Sequence, residues 1–423
     1  MSRRLIGLLF LAVIGLTACG RSLSAPPAAA GDRLFLEEGF GNGPEHVTVR
    51  DSGTGAVERQ LPIGTPAPDW SRYYTVTPLA GVARLTALDP ASGRSLGQAT
   101  IPSGYALPNL SFQAPTSGLS PNGQWLALTS QASDAGGHRV TNFLVGPSSL
   151  TRPFVTARLD GDFVFDALSN DGRSLDLIQK MGDPNHYQVR LYDVPSHSLY
   201  EQPVVDKREP KEPMTGIRGD GVADPQGNYV FTVYARDAGP FIHALSLDQA
   251  FAWCVDLPAK NALDIEEQFH WSLAINRNGS TLYAVNGSTG MIAEMSPASL
   301  PKVDRTGQVA LNAGPSLLSG FVTEADAKGA RIGGAALSTD GRTLFALGYT
   351  GIVAIDTESL KVRARILNGE TVDSIRLSTD GKWLYAASAG ASKLWQINPA
   401  TGALAGEVKG TDNPWALLWA QPQ

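Results

Sequence analysis

The feature that most constrains this 423-residue chain is a short element that recurs along most of it: a tight polar turn closed by glycine, then an apolar, aromatic-rich run. It reads Ser120-Pro-Asn-Gly123, Ser169-Asn-Asp-Gly172, Asp224-Pro-Gln-Gly227, Asn276-Arg-Asn-Gly279, Ser338-Thr-Asp-Gly341 and Ser378-Thr-Asp-Gly381, with a degenerate copy at Pro68-Asp-Trp-Ser71. Asn-Gly and Asp-Gly supply the positive φ that a tight hairpin turn needs. The apolar run after each turn suits a strand packed on both faces.

A second element accompanies the first: a strand, a turn rich in Asp, Pro, Ser and Gly, and another strand, as in Leu85-Thr-Ala-Leu-Asp-Pro-Ala-Ser-Gly93 and Leu394-Trp-Gln-Ile-Asn-Pro-Ala-Thr-Gly402. Eight copies are readable, the first around Val47 to Gly55. The unit is therefore strand, turn, strand, loop, strand, turn, strand. Its glycines are spaced 49, 55, 52, 62 and 40 residues apart. One such unit cannot bury its own apolar faces, whereas a ring of them can. Low charge (17%) with 45 Gly and 28 Pro fits many short strands better than long helices. The best short helix candidate, Lys260 to Ser272, reads as an interblade loop.

These repeats resemble bacterial extracytoplasmic β-propellers of the lactonase-like, quinoprotein-like and WD-repeat superfamily. The resemblance covers residues 33–423 and implies an all-β propeller of about eight four-stranded blades. Seven is the alternative, because Ala67 to Thr77 is the weakest copy. The chain ends in Asp412-Asn-Pro-Trp-Ala-Leu-Leu-Trp419, a first strand with no blade after it, and opens with Arg33-Leu-Phe-Leu-Glu37, a blade missing its first strand. Pairing the two would close the ring. Propellers host unrelated activities, so the resemblance carries no activity of its own.

The N-terminus reads as a processing signal. Arg3 and Arg4 precede a 12-residue apolar run, 5–16, short for a membrane span and typical of a signal peptide. It ends in Leu16-Thr17-Ala18-Cys19, which resembles the lipobox of bacterial lipoproteins. That resemblance implies a signal peptide over 1–18, lipidation of the Cys19 thiol, and a flexible Ser/Ala/Pro tether over 19–32. Several acyl chains hold a protein stably where one does not. Gly20 in place of Asp favours the outer membrane if the cell has two, and otherwise the outer face of the plasma membrane.

Removing Arg3 and Arg4 takes the formal charge from −6 to about −8, and no block of Lys/Arg marks a phosphate-binding face, so nucleic acid is not an expected partner. Cys254 reads as a small buried hydrophobe; with Cys19 acylated, no intramolecular disulfide remains. His46, His138, His186, His197, His243 and His270 do not fall at metal-ligand spacing, and neither a Gly-x-Ser-x-Gly elbow nor a phosphate-cradling loop occurs. Asp51-Ser-Gly53 matches an aspartic-protease triplet but occupies a hairpin-turn position. Arg218-Gly-Asp220 lies in the charged segment Asp206 to Gly221, which reads as a solvated interblade loop.

No catalytic residue, cofactor or metal ligand is assigned. The residues just before the first strands, Asp220, His270, Trp271, Arg331 and Asp373, are the candidates to line one rim of the ring. The expected role is a membrane-tethered binding or scaffold module for an envelope protein, peptide or glycan. The alternative is an envelope hydrolase or lactonase-like enzyme with an axial pocket, to which a divalent metal would belong.

Overall fold

The computed structural model describes residues 31–39, 45–108, 116–133, 136–182, 186–206, 208, 214–259, 264–311 and 334–423. It is an eight-bladed β-propeller of antiparallel sheets. Blade 1 joins both ends of the chain: Ala416–Pro422 is its innermost strand, followed outward by Asp32–Glu38, His46–Asp51 and Val57–Pro62. The register runs from Asp32 opposite Pro422 to Glu37 opposite Ala416. Blades 2 and 4 to 8 follow the same inner-to-outer order, and blade 4 gains a return strand, Met214–Thr215, beside His186–Asp193. The weak copy at Ala67 to Thr77 is a true blade whose inner strand is only Thr65–Pro66. Blade 3 departs most from the expected four strands. It has three, and the fourth position is held by a bridge between Leu119 and Leu126.

Among the described residues the apolar core falls into eight clusters, one at each blade junction. Leu34, Leu36, Tyr385, Leu394 and Leu417 fill the junction of blades 8 and 1. Phe35, Val47, Val49, Trp70 and Tyr73 fill that of blades 1 and 2. Each sheet thus buries both faces against its neighbours, which is why the strands read as continuous apolar runs rather than alternating ones.

The repeated turn has a local cause. In Ser169, Ser338 and Ser378 the hydroxyl donates to the Asp two residues on, at 2.6, 2.6 and 2.7 Å, and accepts the backbone N–H five residues on. The Asp in turn accepts the N–H of the residue after the glycine. The glycine takes φ near +70°. At Gly172 a second demand is added, because a Cβ would stand 2.1 Å from the Trp125 ring of blade 3. Gly172→Ala is therefore expected to cost about 2–4 kcal/mol, from the left-handed backbone and the forced ring displacement together. Urea unfolding monitored by Trp fluorescence measures it; a loss under 0.5 kcal/mol would mean that the ring moves aside freely.

Two sequence expectations need correction. Arg218-Gly-Asp220 is not part of a loop: it lies in the innermost strand of blade 5, Ile217–Ala223. In the charged segment before it, Asp206 is buried and accepts from Arg208 and from the Cys254 N–H, while 207 and 209–213 lie outside the described residues. Cys254 is half-buried on an outer strand rather than fully buried. The short helix is the single turn Ile265–Gln268, and Asp51 does form a hairpin turn, accepting from Thr54.

Candidate functional site: the axial channel

In a propeller ordered this way, the innermost strands surround the axis. The Ser-x-Asp-Gly turns and the outer hairpin turns lie on one face (the turn face), and the connections between blades lie on the other (the loop face). Among the described residues, 103–108, 200–206, 257–259, 264–270 and 309–311 belong to connections of the loop face.

Two inner strands depart from regular pairing. In Phe163–Leu168 of blade 4 the register shifts between Phe165 and Ala167, so that Asp166 is the extra residue. In Ile217–Ala223 of blade 5 it shifts between Arg218 and Gly221. Bulges re-aim side chains, and this second one sends two charges in opposite directions. Arg218 turns to blade 4 and pairs with Asp166 at 3.0 Å, with both side chains largely buried. Asp220 turns the other way and accepts the Leu273 N–H of blade 6 at 2.8 Å.

Arg376 lies on the inner strand of blade 8, Ser374–Leu377. The two sense each other's charge: Arg376 pulls the Asp220 carboxyl down, and Asp220 holds the guanidinium up against its burial. Blades 5 and 8 are separated by two others around the ring. It does not close to an ion pair, leaving the charges more than 4.0 Å apart. Burial dominates at Asp220 and raises its pKa to about 6. At the turn face Arg277 of blade 6 reaches past blade 7 and donates to the Thr379 carbonyl of blade 8 at 2.5 Å.

Behind Arg218 lies a closed polar cluster between blades 4 and 5. Asp176 is fully buried, and neither of its carboxylate oxygens has a hydrogen-bond partner. Burial, with the neighbouring Asp166, holds its pKa well above the usual carboxylate range. His243, also buried, is pushed down to about 4 by desolvation and is neutral near pH 7. Tyr187 and Tyr234 stack beside them at 5.8 Å. The salt bridge of the cluster is that of Arg218 with Asp166.

At the loop face His270 lies 6.0 Å from the exposed ring of Tyr349. Nearby, a groove of about 550 Å³ is lined by Ser288, Thr289, Gln308, Leu311 and Tyr349. Asp373 accepts the Ala389 N–H at 2.7 Å and so fixes the start of the blade 8 inner strand. Trp271 is 2% exposed and packs with Phe231, Val233 and Leu273 between blades 5 and 6. The rim reading of Trp271 is therefore corrected, because an indole placed at the head of an inner strand gains more from the blade junction than from the solvent edge. Arg331 and Cys19 lie outside the described residues. Among the described residues no group of three or more His, Cys, Asp or Glu could hold a metal ion.

Sequence reasoning missed Arg376, although a signal was present. Two residues before the turn, the other copies carry Gly118, Ala167, Val222, Ala274 and Ala336, and blade 8 alone carries an arginine.

Glu37 is 8% exposed at the loop-face end of its strand, and burial with Glu45 nearby raises its pKa to about 7. A folded pKa above the ordinary 4.5 means that its contribution to stability is complete below pH 4.5 and lost as pH rises through 7. Glu37→Gln is expected to change stability little at pH 5 and to raise it at pH 8.5 by about 3 kcal/mol. Denaturant unfolding at the two pH values measures this, and equal effects at both would contradict it.

No protein-family model matches the chain, and no curated protein matches it. Among solved structures it is similar to apo AztD from Citrobacter koseri, with 11% identity and a TM-score of 0.51 over 93% of this chain and 98% of that one. It is also similar to the dihydro-heme d1 dehydrogenase NirN in complex with DHE, with 14% identity and a TM-score of 0.52 over 93% of this chain and 76% of that one. The periplasmic gluconolactonase PpgL of Pseudomonas aeruginosa matches at 18% identity and a TM-score of 0.43, over 84% and 97%. At such identities the likeness to the first two is one of fold.

Proposed function

We propose that this protein is a lipid-anchored binding module of the cell envelope. It holds a protein, peptide or glycan partner at the loop face, over the mouth of the axial channel. The observation that carries the reading is the exposed ring of Tyr349 beside His270 at the loop face, next to a groove of about 550 Å³, with the charged Asp220 and Arg376 on inner strands of blades 5 and 8. The anchor rests on the sequence at Leu16-Thr17-Ala18-Cys19.

The test is capture of the intact protein from cross-linked membranes of its own cell, with mass spectrometry of its companions. A stoichiometric partner, lost when Tyr349→Ala and Arg376→Gln are combined, is the expected result; recovery of the protein alone would overturn the module reading. Cys19→Ala is expected to move the protein almost wholly from the membrane to the soluble fraction. Its retention on washed membranes would overturn the anchor.

A further inference from the structure

Where the first turns of blades 2 and 3 abut, the turn face carries a pocket of about 460 Å³. The contact is close, since a Cβ on Gly123 would stand 3.0 Å from the Pro68 ring. Arg72 lines the pocket from blade 2, and Gln124, Ser149, Thr151 and Arg152 line it from blade 3. Among the described residues neither guanidinium is in an ion pair. The one carboxylate on the wall, Asp69, already accepts the Ser71 N–H at 3.0 Å and the Ser71 hydroxyl at 2.7 Å. The Ser149 and Thr151 hydroxyls bond to each other at 2.9 Å, which uses one O–H and leaves the other free to donate. Two cations against one committed carboxylate thus make this pocket positive in a chain of net charge −6.

The chain enters the ring on this same face. Asp32 opens the second strand of blade 1 and is tied to the outer hairpin turn there, its N–H donating to the Ser52 Oγ at 3.2 Å and its carbonyl accepting the Ser52 N–H at 2.8 Å. Cys19 lies 13 residues earlier, a reach of at most about 45 Å. A lipid at Cys19 therefore draws the turn face towards the membrane and leaves the loop face turned outward. Resting on that anchor reading for the source of the ligand, we infer that the pocket between blades 2 and 3 binds a phosphate ester, supplied by the headgroup of a membrane phospholipid. A carboxylate is planar and is satisfied by one guanidinium fork. Two guanidiniums reaching in from different blades, with hydroxyl and amide donors between them, suit a tetrahedral group that offers acceptor oxygens in several directions.

The experiment is calorimetric titration of the full chain, purified in non-ionic detergent, with glycerol 3-phosphate, and with glycerol as the uncharged control. Glycerol phosphate is expected to bind and glycerol not to. Arg72→Gln and Arg152→Gln should each weaken binding at least ~10-fold, the loss of one charge-assisted contact. Arg152 is exposed, so its variant should unfold at the same temperature as the parent, which separates lost binding from lost fold. Arg342→Gln removes an exposed charge from the blade 7 turn on the same face and should leave binding unchanged. A loss there equal to that of the pocket variants would overturn the inference, because the field of the face and not the pocket would then hold the anion. The source is read by flotation of Cys19→Ala with phosphatidylglycerol vesicles. Co-flotation that Arg152→Gln abolishes supports the headgroup. Glycerol phosphate binding without flotation overturns the lipid source and leaves the phosphate site. Binding of neither overturns both. Retention of Cys19→Ala on washed cell membranes would remove the anchor reading and leave the titration result as it stands.

Discussion

A chain ending at Asp412 is expected to lose its cooperative fold altogether. The missing residues form the innermost strand of blade 1, Ala416–Pro422, and without it Asp32–Glu38 becomes an open edge beside the axis. Leu417 and Ala420 leave the cluster between blades 8 and 1, where they cover Leu34, Leu36 and Tyr385. Trp419 leaves its stack on Trp70, 6.0 Å away, at the junction of blades 1 and 2. Ser374 also loses the Leu417 N–H that it accepts, so blade 8 is disturbed as well. Burial of a large apolar side chain contributes about 1.5–3 kcal/mol. Several such losses, added to an unpaired strand edge, match the whole ~5–15 kcal/mol by which a domain is stable. Circular dichroism during heating should show no sharp transition. A synthetic peptide of residues 413–423 should restore one, because it can re-enter the edge as an added strand. A truncated chain that unfolds as sharply as the full one would show that the ring does not depend on this closure.

The second large effect concerns the cluster behind Arg218, where two substitutions should act in opposite directions. Arg218→Met removes the partner of buried Asp166 and should destabilise by about 3–5 kcal/mol, the cost of leaving one buried charge alone. Asp176→Leu should instead stabilise by about 1–3 kcal/mol at pH 7, because it removes a fully buried acid whose carboxylate oxygens have no hydrogen-bond partner. The pH dependence gives an independent check. With its folded pKa raised, Asp176 favours folding fully at pH below the ordinary 3.8, and that contribution falls as pH rises towards the folded value. Asp176→Leu should therefore flatten the decline in stability between acid and neutral pH. Destabilisation at pH 7 would mean that Asp176 is ionised and shares Arg218 with Asp166.

Asp176 was also legible in hindsight of the repeat. Four residues after the turn glycine, the other blades place Ala127, Phe231, Tyr283, Phe345 and Tyr385, all of them buried core. An aspartate at that point is a departure from the pattern that the sequence alone displays. What the sequence does not display is whether such a charge faces solvent, the lumen or a closed cluster, since that depends on which neighbouring blade it meets.

The same division holds for the whole protein. The chain by itself determined the ring. Turn glycines with positive φ, Ser and Asp that bond within the turn, and apolar runs packed on both faces are local matters, repeated often enough to leave a closed stack of sheets as the way to bury them. The incomplete blades at the two ends likewise implied their pairing. The tertiary structure alone decided the site. Asp220 and Arg376 are 156 residues apart in sequence and come to inner strands of one ring only through its closure. Arg218 and Asp220, one residue apart on either side of Gly219, were separated by a bulge that turns one into a blade junction and the other towards blade 6 and the lumen. Trp271, which looked like a rim residue, went to the core for the reason that draws any large apolar ring there. Bulges and contacts between blades depend on the fit between neighbouring sheets, and that fit exists only after the ring has closed.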